Sequence, residues 1–374
     1  MIVQLQLENF TTFKHIEIDF SPKINVIIGE NGTGKTHLLK AAYALSMANA
    51  KSEMSARKFA TFLVQLFGPL GNRMNRLCHS ELQASMAAKF DFGLSAKASF
   101  GSTQSSVELH KASSDSTASP LLIPAKEVMS TLSQISQEDL GAEWFSRLFD
   151  IGYIDLCAVM LSNDDSVDYR SDPRLGTMIP KITAKIGGRY EFTQKGISFR
   201  RGQYVESKQL PSNSQQAKMY SDSTKMEFKS NSTESISNGM TAEGFRKVGT
   251  IQRLLVNGYL IGSIDAPLFW DEPEANMNPK LMQLLVETLL ELSRNGKQII
   301  LATHDYFLLK WFDLLMEDEK EDHVRFHSLY REESGDIAIS STDDYLTIEP
   351  NPIDETFEAL INSDLDRTMG DLGR

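Results

Sequence analysis

The 374-residue chain is 41% hydrophobic and 24% charged, a balance that predicts a folded core, and its length suits one large α/β domain with insertions or two modest domains. Its 38 Lys and Arg against 50 Asp and Glu leave a net charge of −12, which excludes coating of nucleic acid through overall basicity. Two cysteines in unrelated surroundings, Cys78 and Cys157, argue against a zinc ribbon or a disulfide framework. The strand-like start and the lack of any run near the ~20 apolar residues of a membrane span predict a cytoplasmic protein.

Residues 2–7 and 15–20 alternate apolar and polar and predict two strands joined through Asn9-Phe10-Thr11-Thr12-Phe13. Residues 24–49 read as a buried strand, a glycine-rich loop and a helix whose apolar positions include Leu38, Leu39, Ala42, Tyr43 and Leu45. Residues 55–92 are expected to be helical, with Phe59, Phe62, Leu63, Leu66 and Phe67 on one face. Short strands and turns are expected over 93–119, a strand at Leu121-Leu122-Ile123, and mostly helix over 131–169. The glycines at 187, 188, 196 and 202 predict antiparallel hairpins over 176–206. The polar stretch 207–238 reads as a mobile connection around one strand at Met226-Glu227-Phe228. Helices follow over about 241–260 and 279–295, with strands at Pro267-Leu268-Phe269-Trp270 and 298–302.

Gly29-Glu30-Asn31-Gly32-Thr33-Gly34-Lys35-Thr36 fits G-x-x-x-x-G-K-[ST] between a predicted strand and a predicted helix, the context this phosphate-cradling loop requires. The glycines let backbone N–H groups turn inward and the helix adds its positive end. Lys35 places a cation on the β- and γ-phosphates, and the Thr36 hydroxyl can ligate Mg²⁺. Downstream, Leu268-Phe269-Trp270-Asp271-Glu272 is an apolar strand ending in two carboxylates. Asp271 is placed for the Mg²⁺ shell and Glu272 for polarising the attacking water as general base. Ile299-Ile300-Leu301-Ala302-Thr303-His304 is a strand ending in a histidine suited to hydrogen-bond the γ-phosphate.

This order of motifs resembles the ABC ATPase superfamily, in the branch containing RecF, SMC proteins and the overcoming-lysogenization-defect (OLD) ATPases. The opening Leu7-Glu8-Asn9-Phe10 through Ile28 is similar to the first two strands of RecF and SMC heads, and the likeness covers 1–45 and 235–310. It implies an α/β fold: an ABC-type P-loop ATPase head with a mixed β-sheet, antiparallel hairpins and a helical insertion between the Walker A and signature motifs. The expected division is an N-terminal half of the head over 1–50, an insertion over 51–234 and a C-terminal half over 235–374. The resemblance implies ATP and Mg²⁺, Gly29, Asn31, Gly32, Thr33, Gly34, Lys35 and Thr36 on the phosphates, Thr36 and Asp271 on the metal, and Glu272 and His304 in catalysis.

The family's LSGGQ-type signature contacts the γ-phosphate of ATP held by the other subunit, which implies a homodimer or higher homo-oligomer. Ile236-Ser237-Asn238-Gly239-Met240 occupies its place ahead of the helix expected near Thr241. Ser237 and Gly239 are retained, while Asn and Met stand where Gly and Gln are usual. Asn278 replaces the usual Asp of the D-loop. For the Q-loop, Pro124-Ala125-Lys126-Glu127 looks like the segment of OLD-related ATPases and is preferred to Gln134 or Gln137, neither of which directly follows a strand.

Two functions fit. One is the ATPase subunit of an anti-phage defence complex, resembling those of PARIS, Septu and retron systems, which senses infection and controls a separate nuclease or toxin. The alternative is a RecF/SMC-like repair ATPase acting on DNA. A transporter subunit is disfavoured by the Asn9–Phe13 opening and the large insertion. Asp364-Leu365-Asp366 is similar to a Toprim DxD but reads as a solvated acidic tail, since nothing after it completes such a domain. Lys181, Lys185, Arg189, Arg200 and Arg201 cluster in the predicted hairpins and are equally consistent with a phosphate groove and with solvated charge. The segments 93–119 and 207–238 are the expected surfaces for trigger or partner.

Overall fold

A computed structural model of the chain describes residues 1–102, 106–112, 119–162, 173–193, 196–207, 225–262 and 265–371. In chain order the strands are β1 (Ile2–Phe10), β2 (Phe13–Asp19), β3 (Ile24–Gly29), β4 (Ala84–Phe90), β5 (Ser95–Phe100), β6 (Glu108–Ala112), β7 (Leu121–Ile123), β8 (Gly188–Thr193), β9 (Gly196–Ser207), β10 (Lys225–Ser230), β11 (Ile236–Ser237), β12 (Leu268–Asp271), β13 (Ile299–Ala302), β14 (Val324–Arg331) and β15 (Ile337–Thr342). The helices are α1 (Lys35–Ala50), α2 (Ala56–Phe67), α3 (Met129–Leu132), α4 (Glu143–Leu148), α5 (Ile151–Leu161), α6 (Pro173–Ile186), α7 (Glu243–Val256), α8 (Tyr259–Gly262), α9 (Met282–Arg294), α10 (Tyr306–Leu315) and α11 (Pro352–Asp371).

Three sheets result. The central one has the order β15-β14-β3-β13-β12-β7, parallel except for the antiparallel edge strand β15. Its inner strands are short and apolar because both faces are covered. Along them the side chains alternate between two cores. Val26, Ile28, Leu268, Trp270, Ile299 and Leu301 enter one, with the helices α7 and α9. Ile27, Phe269, Ile300 and Ala302 enter the other, with α1 and the five-stranded antiparallel sheet β2-β1-β4-β5-β6. Helix α1 is therefore buried on both sides, and its alanines Ala41, Ala42, Ala44 and Ala48, all fully buried, let the two sheets approach. The third sheet joins β8, β9, β10 and β11 beside α6 and α7.

Several sequence expectations are corrected here. Helix α2 stops at Gly68, which takes the left-handed conformation with φ of 57° and closes the helix onto Val64 O. Residues 84–90, expected to be helical, form β4, because pairing with β1 overrides the helix preference of their alanines. Residues 176–186 are the end of helix α6 rather than a hairpin, and α6 accommodates Pro180 in its interior. The hairpins start only after Gly187, at φ of 74°. Helix α7 starts at Glu243, two residues later than expected. Of the polar connection, residues 208–224 lie outside the described residues, as do 103–105 and 113–118 of the earlier insertion; 225–230 form β10, paired with β9.

Candidate nucleotide site

The phosphate loop leaves β3 at Gly29 and enters α1 at Lys35. Gly29 and Gly34 must be glycine. Both have positive φ, 144° and 97°, and an added Cβ would lie 2.3 Å from Leu329 O at Gly29 and 2.4 Å from Thr12 Cγ2 at Gly34. The turn between β1 and β2 thus packs directly on the loop. Helix α1 begins at Gly34 with no side-chain cap and no acidic residue in its first turn, so no acidic side chain of the helix itself offsets its positive end. Thr33 and Lys35 are buried, whereas Asn31 and Gly32 are exposed at the rim. Lys35 Nζ donates to Gly29 O (2.7 Å) and Glu30 O (3.0 Å), curling over the loop. Burial lowers the Lys35 pKa, opposed by the charges of Glu272, Asp271 and Glu274.

Strand β12 runs between β13 and β7 and delivers Asp271 beside α1, where Thr36 Oγ1 donates to Asp271 Oδ2 at 2.9 Å. The other oxygen, Asp271 Oδ1, is buried without a hydrogen-bond partner. Burial pushes the Asp271 carboxyl up, the Thr36 hydrogen bond holds it down and the neighbouring Glu272 charge adds to the rise. Glu272 leaves the strand with a left-handed φ of 45°, a conformation that costs a non-glycine residue energy and turns the chain sharply after the strand. His304, past the end of β13, presents Nδ1 3.6 Å from Glu272 Oε1 and 3.7 Å from Glu274 Oε1, within ion-pair reach but beyond hydrogen-bond length.

Sequence reasoning missed the contribution of α7. Lys247, almost fully buried, donates from Nζ to the carbonyl of Glu272 at 3.0 Å. Its pKa is lowered by burial, against the pull of Glu274, Glu243, Glu272 and Glu127. The preceding residue, Arg246, donates from Nε to Glu127 Oε1 at 2.7 Å, with both side chains largely buried. Glu127 lies just past β7, so the Pro124-Ala125-Lys126-Glu127 segment follows a strand of the central sheet. Gln134 and Gln137 follow α3 instead and are exposed. The adjacent cations 246 and 247 on a helix just after the signature region were the available signal.

The segment Ile236–Met240, expected from the sequence to hold the signature, does not cap α7. Ser237 pairs with Ser198 at the edge of β9, and a short 3-10 turn over Asn238–Met240 separates it from α7. Asn238 has a buried side chain, whose Nδ2 donates to Met129 O and to Ser133 Oγ (2.8 Å). Ser237, Gly239 and Met240 are exposed. In the D-loop position Asn278 accepts from Lys280 N (2.9 Å) and Asn276 Nδ2 donates to Glu243 Oε1 (2.8 Å), joining that loop to the start of α7.

The predicted basic cluster is largely paired. Lys181, on α6, contacts Glu287 at 2.8 Å, and Arg189 and Arg200 share Glu191. Arg189 also stacks on Phe228, 4.1 Å from the ring centre. Asp364 and Asp366 lie on α11, which is exposed from Glu358 to Thr368, and Asp364 pairs with Arg367. Among the described residues no group of three or more His, Cys, Asp or Glu side chains is gathered as a metal site, and no helix is long and apolar enough to cross a membrane.

Residues 4–119 match the family model described as an AAA domain, and residues 258–310 match one described as "AAA domain, putative AbiEii toxin, Type IV TA system". The chain is similar to two proteins named DNA replication and repair protein RecF. The one from Bacillus mycoides is 40% identical over 76 residues, 20% of this chain and 19% of that protein. The one from Ligilactobacillus salivarius is 33% identical over 86 residues, 23% of each. An SmcHead bound to the C-winged helix domain of ScpA superposes with a TM-score of 0.51 at 13% identity, covering 91% of this chain and 97% of that one. The chain thus carries two AAA-domain matches, a likeness to RecF over part of its length, and the SMC head fold. A Pyrococcus furiosus Smc head with an extended coiled coil, bound to the C-terminal domain of ScpA, shares that fold with a TM-score of 0.50 at 12% identity, covering 97% of this chain and 99% of that one. The two matched segments contain the phosphate loop, the strand ending in Asp271 and the turn after β13 that carries His304. The chain spans about a fifth of the length of the RecF proteins it matches.

Proposed function

We propose that the chain binds ATP with Mg²⁺ on the phosphate loop and hydrolyses it in a site completed by a second copy of itself. The observation that carries this reading is the meeting of Thr36, Asp271, Glu272 and His304 beside the uncapped start of α1. Thr36 and Asp271 fit Mg²⁺: their oxygens already lie together, and the buried, unpartnered Asp271 Oδ1 is one that a cation would satisfy. When bound, Mg²⁺ draws charge from the β- and γ-phosphate oxygens. Gly29, Asn31, Gly32, Thr33 and Gly34 wrap the phosphates, and Lys35 moves its ammonium from the loop carbonyls onto them. Glu272 takes a proton from the attacking water, and His304 donates to the γ-phosphate. Ser237 and Gly239 are exposed and so available to the nucleotide of a second copy. In this reading 1–50 and 235–374 form the two halves of one head around the insertion 51–234.

The product of this cycle is a shape change read by a separate effector, a nuclease or toxin of an anti-phage defence system. Two observations support it: the toxin–antitoxin description of the model matched by 258–310, and the exposed Leu360 and Leu365 on the acidic helix α11. The RecF identity over 76 residues favours a second reading, a repair ATPase acting on DNA. Steady-state assays test the chemistry. Hydrolysis requires Mg²⁺, and Lys35→Ala loses nucleotide binding; unchanged turnover in Lys35→Ala contradicts the site. Stimulation by gapped DNA separates the repair reading from the effector reading, in which a neighbouring nuclease or toxin product co-purifies.

A further inference from the structure

Glu274 stands two residues beyond the proposed base and has no part in the chemistry above, yet it is among the most enclosed carboxylates of the site, its side chain 5% exposed. Its Oε1 accepts from Thr303 Oγ1 at 2.7 Å and from the backbone N of His304 at 3.1 Å. The same oxygen lies 3.7 Å from His304 Nδ1. Thr303 Oγ1 in turn accepts from Asp305 N at 3.0 Å, so the residues on both sides of His304 are tied into one network that ends on Glu274. The second oxygen, Oε2, is buried and makes no hydrogen bond among the described residues. Thr303 and the His304 backbone hold the carboxylate in place, and its Oε1 faces the imidazole within ion-pair reach.

We propose that Glu274 is the positioning residue of His304. It fixes the backbone at the end of β13 and holds the imidazole with Nδ1 toward the carboxylates, leaving Nε2 for the nucleotide. Metal-site histidines are oriented in the same way by a carboxylate on their far nitrogen. The contact, at 3.7 Å, is expected to shorten when the site closes on nucleotide, as catalytic hydrogen bonds commonly do. A brace that merely stabilised the fold would not need the approach to Nδ1.

The inference rests on the ATP-hydrolysing reading, and its test keeps the two apart. In Glu274→Gln the amide oxygen still accepts from Thr303 and His304 N, while the charge and the second acceptor are gone. The variant is expected to melt close to wild type and keep its KM for ATP, with kcat lower by about 10- to 100-fold, the usual cost of losing an orienting partner. A double-mutant cycle with His304→Ala isolates the route of action. If Glu274 works through His304, Glu274→Gln lowers kcat no further in the His304→Ala background. Multiplying effects, or wild-type kcat in Glu274→Gln, overturn the inference while Glu272 dependence leaves the reading standing. Wild-type protein without ATPase activity overturns both. Should Glu274→Gln fail to fold, Thr303→Val removes the same hydrogen bond from the other side, and the same cycle with His304→Ala decides.

Discussion

Lys247 Nζ donates to the main-chain carbonyl of Glu272 at 3.0 Å, joining the helix that follows the signature region to the strand end that carries the proposed base. Glu272 is held there in a left-handed conformation that an ordinary residue adopts at a cost. The buried ammonium helps offset that cost and fixes which way the residue turns. Lys247→Met keeps the bulk and removes the charged donor, leaving the carbonyl only its bond from Ala275 N (3.1 Å). It is expected to lower stability by about 1–3 kcal/mol. Nucleotide affinity should be unchanged, with kcat down about 10-fold, as for lost orienting partners. Denaturant melts and steady-state kinetics measure both, and unchanged kcat would show that Glu272 holds its place without the lysine.

Asn238 gives a test of the altered signature that needs no activity. Its side chain ties the 3-10 turn to Met129 O and Ser133 of the α3 region. Asn238→Ala removes both bonds and leaves Met129 O only the Ser133 hydroxyl (3.3 Å), and a stability loss of about 0.5–1.5 kcal/mol follows. Asn238→Gly, the family's usual residue, should lose as much, because the anchor and not the backbone conformation is at stake. A Gly variant as stable as wild type would contradict this.

The proposed sharing of the site between copies predicts complementation. Lys35→Ala spoils the copy that holds nucleotide and Ser237→Arg spoils the copy that reaches across, so each variant alone is inactive. Mixed, they form one intact composite site and recover part of the wild-type rate. A mixture that hydrolyses no ATP while both chains are folded and associated rejects the two-copy site.

Much of this site was legible because each motif sits where an apolar strand ends. Ile24–Gly29, Leu268–Asp271 and Ile299–Ala302 have too few polar residues for surface strands, and all three lie in the central sheet. What the sequence hid was set by distant partners. The alanines of 84–90 favour a helix until β1 pairs with them, and the glycines from 187 onward drew residues 176–186 of α6 into the expected hairpins. Lys247 carries no mark of its buried position, since its acceptor is a backbone carbonyl 25 residues away. Glu274 was visible only as part of a run of acids, and its contacts with Thr303 and His304 needed two strands to be neighbours.

Stability should fall on acidification through His327. It is buried between Ser341 Oγ (2.8 Å) and Asn25 Oδ1 (3.2 Å), and burial lowers its pKa from 6.5 to about 3, with the Arg325 charge adding to the effect. The unfolded chain therefore takes up a proton that the folded chain refuses. The full stability is present above the unfolded value and is lost as pH falls from about 6.5 toward 3, by at most ~1.4 kcal/mol per unit. His327→Asn lacks this dependence, so its stability relative to wild type rises over that window. Parallel melting curves for the two proteins from pH 7 to 5 would contradict it.

The measurement that bears most directly on the central claim is ATP binding and turnover in Glu272→Gln. The glutamine preserves the size of the side chain and leaves Thr36, Asp271 and Lys35 in place, but it cannot take a proton from water. Nucleotide affinity should match wild type, steady-state hydrolysis should be nearly abolished, and ATP should hold the protein in its associated form. Turnover near the wild-type rate in Glu272→Gln would contradict the account.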